Sequence, residues 1–233
     1  MKISIIIPLY NEAQFIEELI KKVVGAELPY GVGREIIIIN DGSKDQSGKI
    51  LEKYHDFPGI KVFNIQINMG KTAAIRLGIE KSTGDIIVIQ DADLEYDPKY
   101  YSLLIEPILK NKASVVYGSR FKGKIEGMKL INRVANIISN ITLALLYGTK
   151  LSDVNTGYKV FKRDALNGLN INSNNFGFET EITAKLLNLG HKIYEVPIKY
   201  TARYKEQGKK MSWLKALQMY WGIFKYRYSL GKN

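Results

Sequence analysis

The stretch Ile86-Ile87-Val88-Ile89-Gln90-Asp91-Ala92-Asp93-Leu94-Glu95 constrains this chain more than any other. Its four leading residues are all isoleucine or valine, the pattern of a short strand buried on both faces, as in a parallel sheet covered by helices. The strand leads straight into two carboxylates one residue apart. In extended backbone, residues i and i+2 point to the same side, so Asp91 and Asp93 are expected to share a face at the strand's carboxyl end. Neighbouring carboxylates repel unless a positive charge stands between them. A hard divalent cation meets that need, and Mg²⁺ takes one or two carboxylates together with substrate phosphate oxygens.

The segments ahead of this strand alternate strand and helix. Residues 3–9, 35–39 and 60–65 read as strands. Helices follow from Asn11, read as an N-cap, with Phe15, Ile16, Leu19, Ile20, Val23 and Val24 at helical spacing, then over 46–54 and 71–82. Ser43 or Asp45 is placed to cap the second helix. The alternation predicts an α/β fold: a Rossmann-like, doubly wound, mostly parallel sheet with helices on both faces. Ligands of such sheets bind beyond the carboxyl ends of the strands. Residues 8–12, 41–43, 68–71 and 91–95 all fall there. Neither G-x-G-x-x-G nor G-x-x-x-x-G-K-[ST] is present to cradle phosphates, which again favours a metal.

Farther on, a helix is expected over about 99–111, a strand over 114–117 ending in Gly118-Ser119-Arg120-Phe121, and a Gly/Lys-rich loop over 122–128. Residues 129–147 predict an amphipathic helix, with Leu130, Ile131, Val134, Ile137, Ile138, Ile141 and Leu145 on one face and Arg133, Asn136 and Asn140 opposite. Its apolar part, 134–147, reads as too short and too polar to cross a bilayer. Glu195 and Pro197 set the last strand, 192–200, near a sheet edge. From Met211, Trp213, Leu214, Leu217, Tyr220, Trp221, Phe224 and Tyr228 form the apolar stripe of a basic helix suited to a membrane interface.

The 233 residues carry a net charge of +11 and no cysteine, which excludes disulfides and thiolate metal sites. Residues 203–233 hold eight Lys/Arg and one Glu, so this tail contributes +7 of the total. A basic end suits an anionic partner: nucleic acid, a membrane surface or a phosphorylated substrate. Met1-Lys2 runs directly into the first strand, so no signal peptide is expected.

The motifs Pro8-Leu9-Tyr10-Asn11-Glu12, Asn40-Asp41-Gly42-Ser43, Asn68-Met69-Gly70-Lys71, Asp91-Ala92-Asp93-Leu94-Glu95, Gly118-Ser119-Arg120-Phe121, Asp153 with Thr156-Gly157-Tyr158, Phe178-Glu179-Thr180-Glu181 and Glu195-Val196-Pro197, followed by Arg203 and Gly208-Lys209-Lys210, occur in an order and spacing that is specific. Together they resemble the family 2 inverting glycosyltransferases of GT-A fold, and within them the polyprenyl-phosphate sugar synthases of the dolichyl-phosphate mannose or glucose synthase type. The resemblance implies a GT-A domain over 1–210 and a surface-seeking helix over 211–233. It implies that Pro8, Tyr10, Glu12 and Asp41 hold the base and ribose of a nucleotide sugar, GDP-mannose or UDP-glucose. Lys71 and Ala92 would join them in the donor site. Asp91 and Asp93 would hold Mg²⁺ or Mn²⁺ against the diphosphate, with Glu95 a third ligand where relatives often carry Gln. Family members frequently carry C-terminal transmembrane helices; none is read before Asn233, so membrane contact is expected from the surface.

The chemistry constrains the rest. The leaving diphosphate must be neutralised, which makes Asp93 catalytic through its cation. An acceptor phosphate is already ionised and needs cations rather than a strong base; Arg120, Arg133, Arg203, Lys209 and Lys210 are the candidates, arginine offering forked contact. A sugar hydroxyl acceptor would need a carboxylate base, for which Glu179, Glu181 and Asp153 are available. Helix-terminal acids and solvated lysines are the plain alternatives. The expectation is a metal-dependent, inverting hexose transfer to a polyprenyl (dolichyl) phosphate, peripheral at the cytoplasmic face of the cell membrane, with the lipid along helix 129–147 and the tail. A saccharide acceptor is the second reading. A nucleic-acid-binding module is a third, opposed by the acidic rim, which repels a phosphate backbone.

Overall fold

The structure, a computed structural model, describes residues 1–173, 177–203 and 225–227. Lys209, Lys210 and most of the tail helix expected from Met211 lie outside them.

Seven strands form one sheet in the order β3-β2-β1-β4-β6-β5-β7. β1 (Lys2–Leu9), β2 (Gly33–Asp41), β3 (Ile60–Ile65) and β4 (Ile86–Ile89) run parallel. Alternate side chains of β1 point to opposite faces. Ile3, Ile5 and Ile7 join a core with Ile16, Leu19 and Ile20 of α1 (Ile16–Gly25) and Leu104 and Ile105 of α4 (Tyr101–Leu109). Ile6 faces the other way, with Ile75 of α3 (Lys71–Lys81) and Ile182 of α6 (Phe178–Asn188). All four residues of β4 are fully buried, as its composition requires. The architecture is the doubly wound α/β fold expected.

One strand reverses the sheet. β6 (Lys159–Lys162) is antiparallel to both β4 and β5 (Val115–Glu126), and β7 (Ile193–Thr201) then pairs parallel to β5 at the edge. β5 also corrects the expected loop over 122–128. The strand continues through it after a register shift between Ser119 and Lys124, pairing Lys124, Ile125 and Glu126 with Lys199, Tyr200 and Thr201. Gly123 makes this possible: a Cβ there would lie 2.0 Å from the Ile198 carbonyl oxygen. Asn11 is not an N-cap. It sits at φ 54°, accepts from the Lys44 amide and donates its own amide to Ser43, stitching the β1 and β2 loops together while α1 begins at Ile16. α2 (Ser47–Glu52) follows, with the Asp45 carboxylate accepting from the Ser47 amide.

α5 (Leu130–Tyr147) is turned the opposite way from an ordinary amphipathic helix. Asn136, Ser139 and Leu143 are buried, while Leu130, Ile131 and Leu145 are 77%, 74% and 81% exposed. Val134, Ile137, Ile138 and Ile141 are exposed too. The reason lies on the polar face: Asn140 accepts from the Val154 amide and donates to the Ser152 carbonyl, and Asn136 accepts from Arg120. Hydrogen bonds to the fold outweigh burial of the stripe. The helix includes Leu130 and Ile131 ahead of Arg133, so with 18 residues it is long and apolar enough to cross a membrane by length and composition, which corrects the expectation drawn from 134–147.

At the opposite end of the sheet from the acidic rim, Glu35 closes the β1–β2–β4 corner. It accepts from Ser4 Oγ (2.6 Å), the Thr83 amide (2.6 Å) and Lys61 Nζ (3.2 Å). Burial opposes its charge, but these donors prevail and hold its carboxyl down at about 2, from an ordinary 4.5. Its contribution to stability is therefore complete above the unfolded-state value and fades as pH falls from about 4.5 towards 2. Glu35→Gln is expected to cost about 1–3 kcal/mol in urea unfolding at pH 7. The gap from wild type should narrow as pH falls from 5 to 3; a gap independent of pH would contradict the assignment.

Candidate active site

The site lies over the carboxyl ends of β1, β2 and β4, and Gln90 sets its shape. β4 ends at Ile89, and the fully buried Gln90 amide donates to the carbonyls of Asp91 (3.0 Å) and Tyr96 (3.1 Å). Its Oε1 accepts from Tyr101 and Tyr158, both at 2.9 Å. The 91–97 segment folds back as a turn, with Leu94 at φ 58°. The extended backbone expected to align Asp91 with Asp93 is therefore absent, and each meets its own cation.

Asp91 Oδ1 lies 2.7 Å from Lys71 Nζ, which also lies 2.8 Å from Glu179 Oε1. Lys71 opens α3, Glu179 opens α6, and Asp91 follows β4, so one ammonium ties three elements. Burial works against that ammonium, but the two carboxylates outweigh it and raise its pKa. The other Asp91 oxygen faces Gly157, where a Cβ would lie 2.3 Å from it and 2.9 Å from the Tyr96 ring. Only glycine leaves room for this carboxylate.

Arg203, just past β7, gathers a second group. Its Nη1 is 2.8 Å from Glu12 Oε2, its Nη2 3.1 Å from Asp93 Oδ2, and its Nε 3.9 Å from Glu95 Oε1. Glu95 also accepts from Tyr200 Oη (2.7 Å) and the Arg203 amide (3.0 Å). Burial raises the pKa of Glu12 despite Arg203; burial opposes the Arg203 charge, and Asp93 and Glu12 raise it. The structure thus puts Arg203, an acceptor-phosphate candidate, among the carboxylates assigned to donor and metal.

Asp91, Asp93 and Glu95 do not form one ligand set. Among the described residues no group of three or more Asp, Glu, His or Cys is arranged to hold a metal. The chemistry of the donors still suits a hard cation, because they are carboxylate oxygens and the position among Glu12, Asp93 and Glu95 is filled by a positive group of the chain itself.

Asp41 is buried and accepts from the Met69 and Gly70 amides (2.8 and 2.7 Å), which fixes the 68–70 loop that launches Lys71. Tyr10 is 42% exposed at the rim, Pro8 lies near the end of β1, and Ala92 is buried in the turn. Glu181 points elsewhere. Fully buried, it accepts from the Asn172 and Ser173 amides and from Lys185, so it anchors the 172–173 segment rather than facing Glu179. The helical start of α6 separates the two glutamates, as i and i+2 on a helix diverge.

Arg120 is buried. Its Nε and Nη2 grip both oxygens of the fully buried Asp153 at 2.8 and 2.7 Å, and Nη2 also donates to Asn136 Oδ1 (3.1 Å). The guanidinium lies over the Tyr200 ring, 5.1 Å from its centroid, which connects it to Glu95. Glu195, on the edge strand, accepts from the Ser152 and Asp153 amides and fixes that loop. Arg133 is exposed on α5.

Tyr158 and Tyr200 pack against Tyr96 as tilted rings, forming an aromatic floor, and sequence reasoning missed Tyr96 and Tyr200. It also missed Lys159, which is fully buried, donates to the Val154 carbonyl (2.8 Å) and sits 3.5 Å from the Tyr117 ring centroid. Burial pulls its pKa down to about 7. A lysine opening the strand pattern Lys159-Val160-Phe161 was the available signal.

The family model "Glycosyl transferase family 2" matches residues 4–169. The chain belongs to that family. It is 30% identical over 215 residues to a dolichol-phosphate mannosyltransferase of Pyrococcus furiosus, covering 90% of this chain and 59% of that protein. It is 27% identical over 164 residues to a dodecaprenyl-phosphate galacturonate synthase of Rhizobium johnstonii, covering 70% and 48%. The chain thus spans 59% and 48% of the lengths of these relatives. A glucosyl-3-phosphoglycerate synthase from Mycobacterium tuberculosis, crystallised with Mn²⁺, UDP and glucosyl-3-phosphoglycerate, superposes with a TM-score of 0.71 at 21% identity, over 97% of this chain and 78% of that one. That likeness shows the fold.

Asp153→Ala leaves Arg120 as a buried, unpaired charge. It is expected to lower unfolding free energy by about 3–5 kcal/mol, and Arg120→Met in the same chain should restore part of the loss. A double variant less stable than Asp153→Ala alone would contradict the pairing.

Proposed function

We propose that this family 2 protein transfers a hexose, mannose or glucose, from a GDP- or UDP-sugar to a polyprenyl phosphate. The carrying observation is that each carboxylate offered as a base is already engaged: Glu179 by Lys71, Asp153 by Arg120, Glu181 by two amides and Lys185. A sugar hydroxyl would need one of them free to take its proton. A phosphate monoester arrives ionised and needs only cations. The names of the relatives, built on dolichol phosphate and dodecaprenyl phosphate, support the same acceptor class.

An inverting course is a single displacement. The acceptor oxygen forms its bond to the anomeric carbon as the bond to the diphosphate breaks on the opposite side, and the electron pair leaves with the diphosphate. Tyr10, at the rim, and Pro8, Ala92 and Glu12 would border the base, ribose and diphosphate. Asp41 would act by holding the 68–70 loop. Mg²⁺ or Mn²⁺, held by Asp93 with Asp91 beside it, would supply Lewis-acid neutralisation of the leaving diphosphate. Arg203 would leave the carboxylate group as the donor enters, becoming free to meet a phosphate. Glu95 would steady Arg203 through its amide.

Labelled sugar should pass to polyprenyl phosphate and not to free saccharides, and chelation should stop it. Asp93→Ala should lower turnover by about a hundredfold or more with the fold retained. Transfer to saccharides alone, or full activity in the presence of a chelator, would reject the reading.

We also propose that the protein works peripherally at the cytoplasmic face of the cell membrane. The exposed apolar side of α5 is bordered by exposed Lys122, Lys124, Lys129 and Arg133, a combination that suits an anionic lipid surface. Ile137→Asp with Ile141→Asp should weaken flotation with vesicles of anionic phospholipid by at least about tenfold. Unchanged flotation would remove α5 from the contact.

A further inference from the structure

We infer that Asn136 is a positioning residue for Arg120, turning one end of its guanidinium towards an acceptor phosphate. The inference rests on the acceptor class proposed above. An arginine offers five N–H donors in a rigid fork. Asp153 takes the Nε and Nη2 edge, at 2.8 and 2.7 Å. A second donor on Nη2 goes to Asn136 Oδ1 at 3.1 Å. Three of the five donors are thereby spent on the protein, and both belonging to Nη1 have no hydrogen-bond partner among the described residues. Among the described residues the buried side-chain atoms that lack partners are Asn155 Oδ1, Thr180 Oγ1 and Arg203 Nε, and Nη1 of Arg120 is not one of them.

Asp153 alone fixes the plane of the fork but does not commit the far side of Nη2. Asn136 does, and its own amide is fixed in turn by donating to the Asn132 carbonyl one turn back in α5 (2.7 Å). Tyr200 covers one face of the guanidinium. What stays available is the pair of diverging N–H groups on Nη1, each able to donate a charge-assisted hydrogen bond to a phosphate oxygen. Asn136 belongs to the helix whose outer face is apolar, so the element that aims the phosphate-binding arginine is also the one proposed to meet the lipid. This accounts for an asparagine inside α5 where an amphipathic helix ordinarily buries an aliphatic side chain.

The test compares Asn136→Ala with Asn140→Ala. Asn140 ties the same helix to the same loop through Ser152 and Val154 without touching Arg120. Equilibrium binding of farnesyl phosphate and of a nucleoside diphosphate is measured for both variants and wild type, with acceptor KM and kcat where turnover is seen. Asn136→Ala is expected to weaken farnesyl phosphate binding, and to raise acceptor KM, by about tenfold, with diphosphate binding and kcat near wild type. Asn140→Ala should lower the melting temperature and leave both affinities alone. Equal loss of acceptor affinity in the two variants would make Asn136 a plain docking residue and overturn the inference. So would unchanged farnesyl phosphate binding in Asn136→Ala while wild type binds it. Wild type that binds no farnesyl phosphate would instead overturn the acceptor reading, and the inference with it.

Discussion

Lys71 stands between Asp91 and Glu179, and the region beyond the carboxyl ends of the strands is organised by charges matched in this way. A parallel sheet of isoleucine and valine collects loops at one rim. This family member fills those loops with acids: Glu12, Asp41, Asp91, Asp93 and Glu95. Partly buried carboxylates at such density cannot coexist without compensation. The fold supplies it from within, through Lys71, Arg203 and backbone amides at Asp41, and Arg120 does the same for the buried Asp153. Each cation comes from an element distant in sequence from its acids, so the ion pairs also fasten α3, α6, β7 and the 151–157 loop over the rim.

The two groups differ in how easily they can be rearranged. Lys71 and its carboxylates are backed by the Gly157 contact and by the first turns of two helices. Arg203 is held by its side chain and amide at the end of the last described strand, and its Nε has no hydrogen-bond partner among the described residues. The diphosphate and divalent cation of the proposed reaction would compete for the same carboxylates. Together they would displace the arginine more readily than the lysine, so the two charges of the D-x-D pair would have different roles: Asp91 would brace the scaffold and Asp93 would face the ligand.

α5 connects this polar interior to the outside. Its inward asparagines replace apolar core contacts with hydrogen bonds to Arg120 and to the 152–154 backbone. Its outward isoleucines and leucines are left without a partner among the described residues. Buried amides are costly unless satisfied, and here each is. The helix is thereby fixed in rotation, and its apolar side is presented on the same flank of the domain as Arg120.

The sequence alone determined the architecture. The 2.0-residue and 3.6-residue periods of its apolar residues specify alternating strands and helices, and such units have few ways to bury both faces of a sheet. It also located the rim, because polar loops at strand ends converge in any doubly wound sheet. What only the tertiary structure decided was partnership. Arg203 lies 110 residues from Asp93 and Lys71 108 residues from Glu179, distances at which no local period operates. The reversal of β6, the run of β5 through 122–126 and the rotation of α5 were hidden for the same reason. Each depends on a contact with a segment far along the chain, where a glycine admits a backbone or an asparagine finds an arginine, and side-chain pattern carries no record of which distant group will be there.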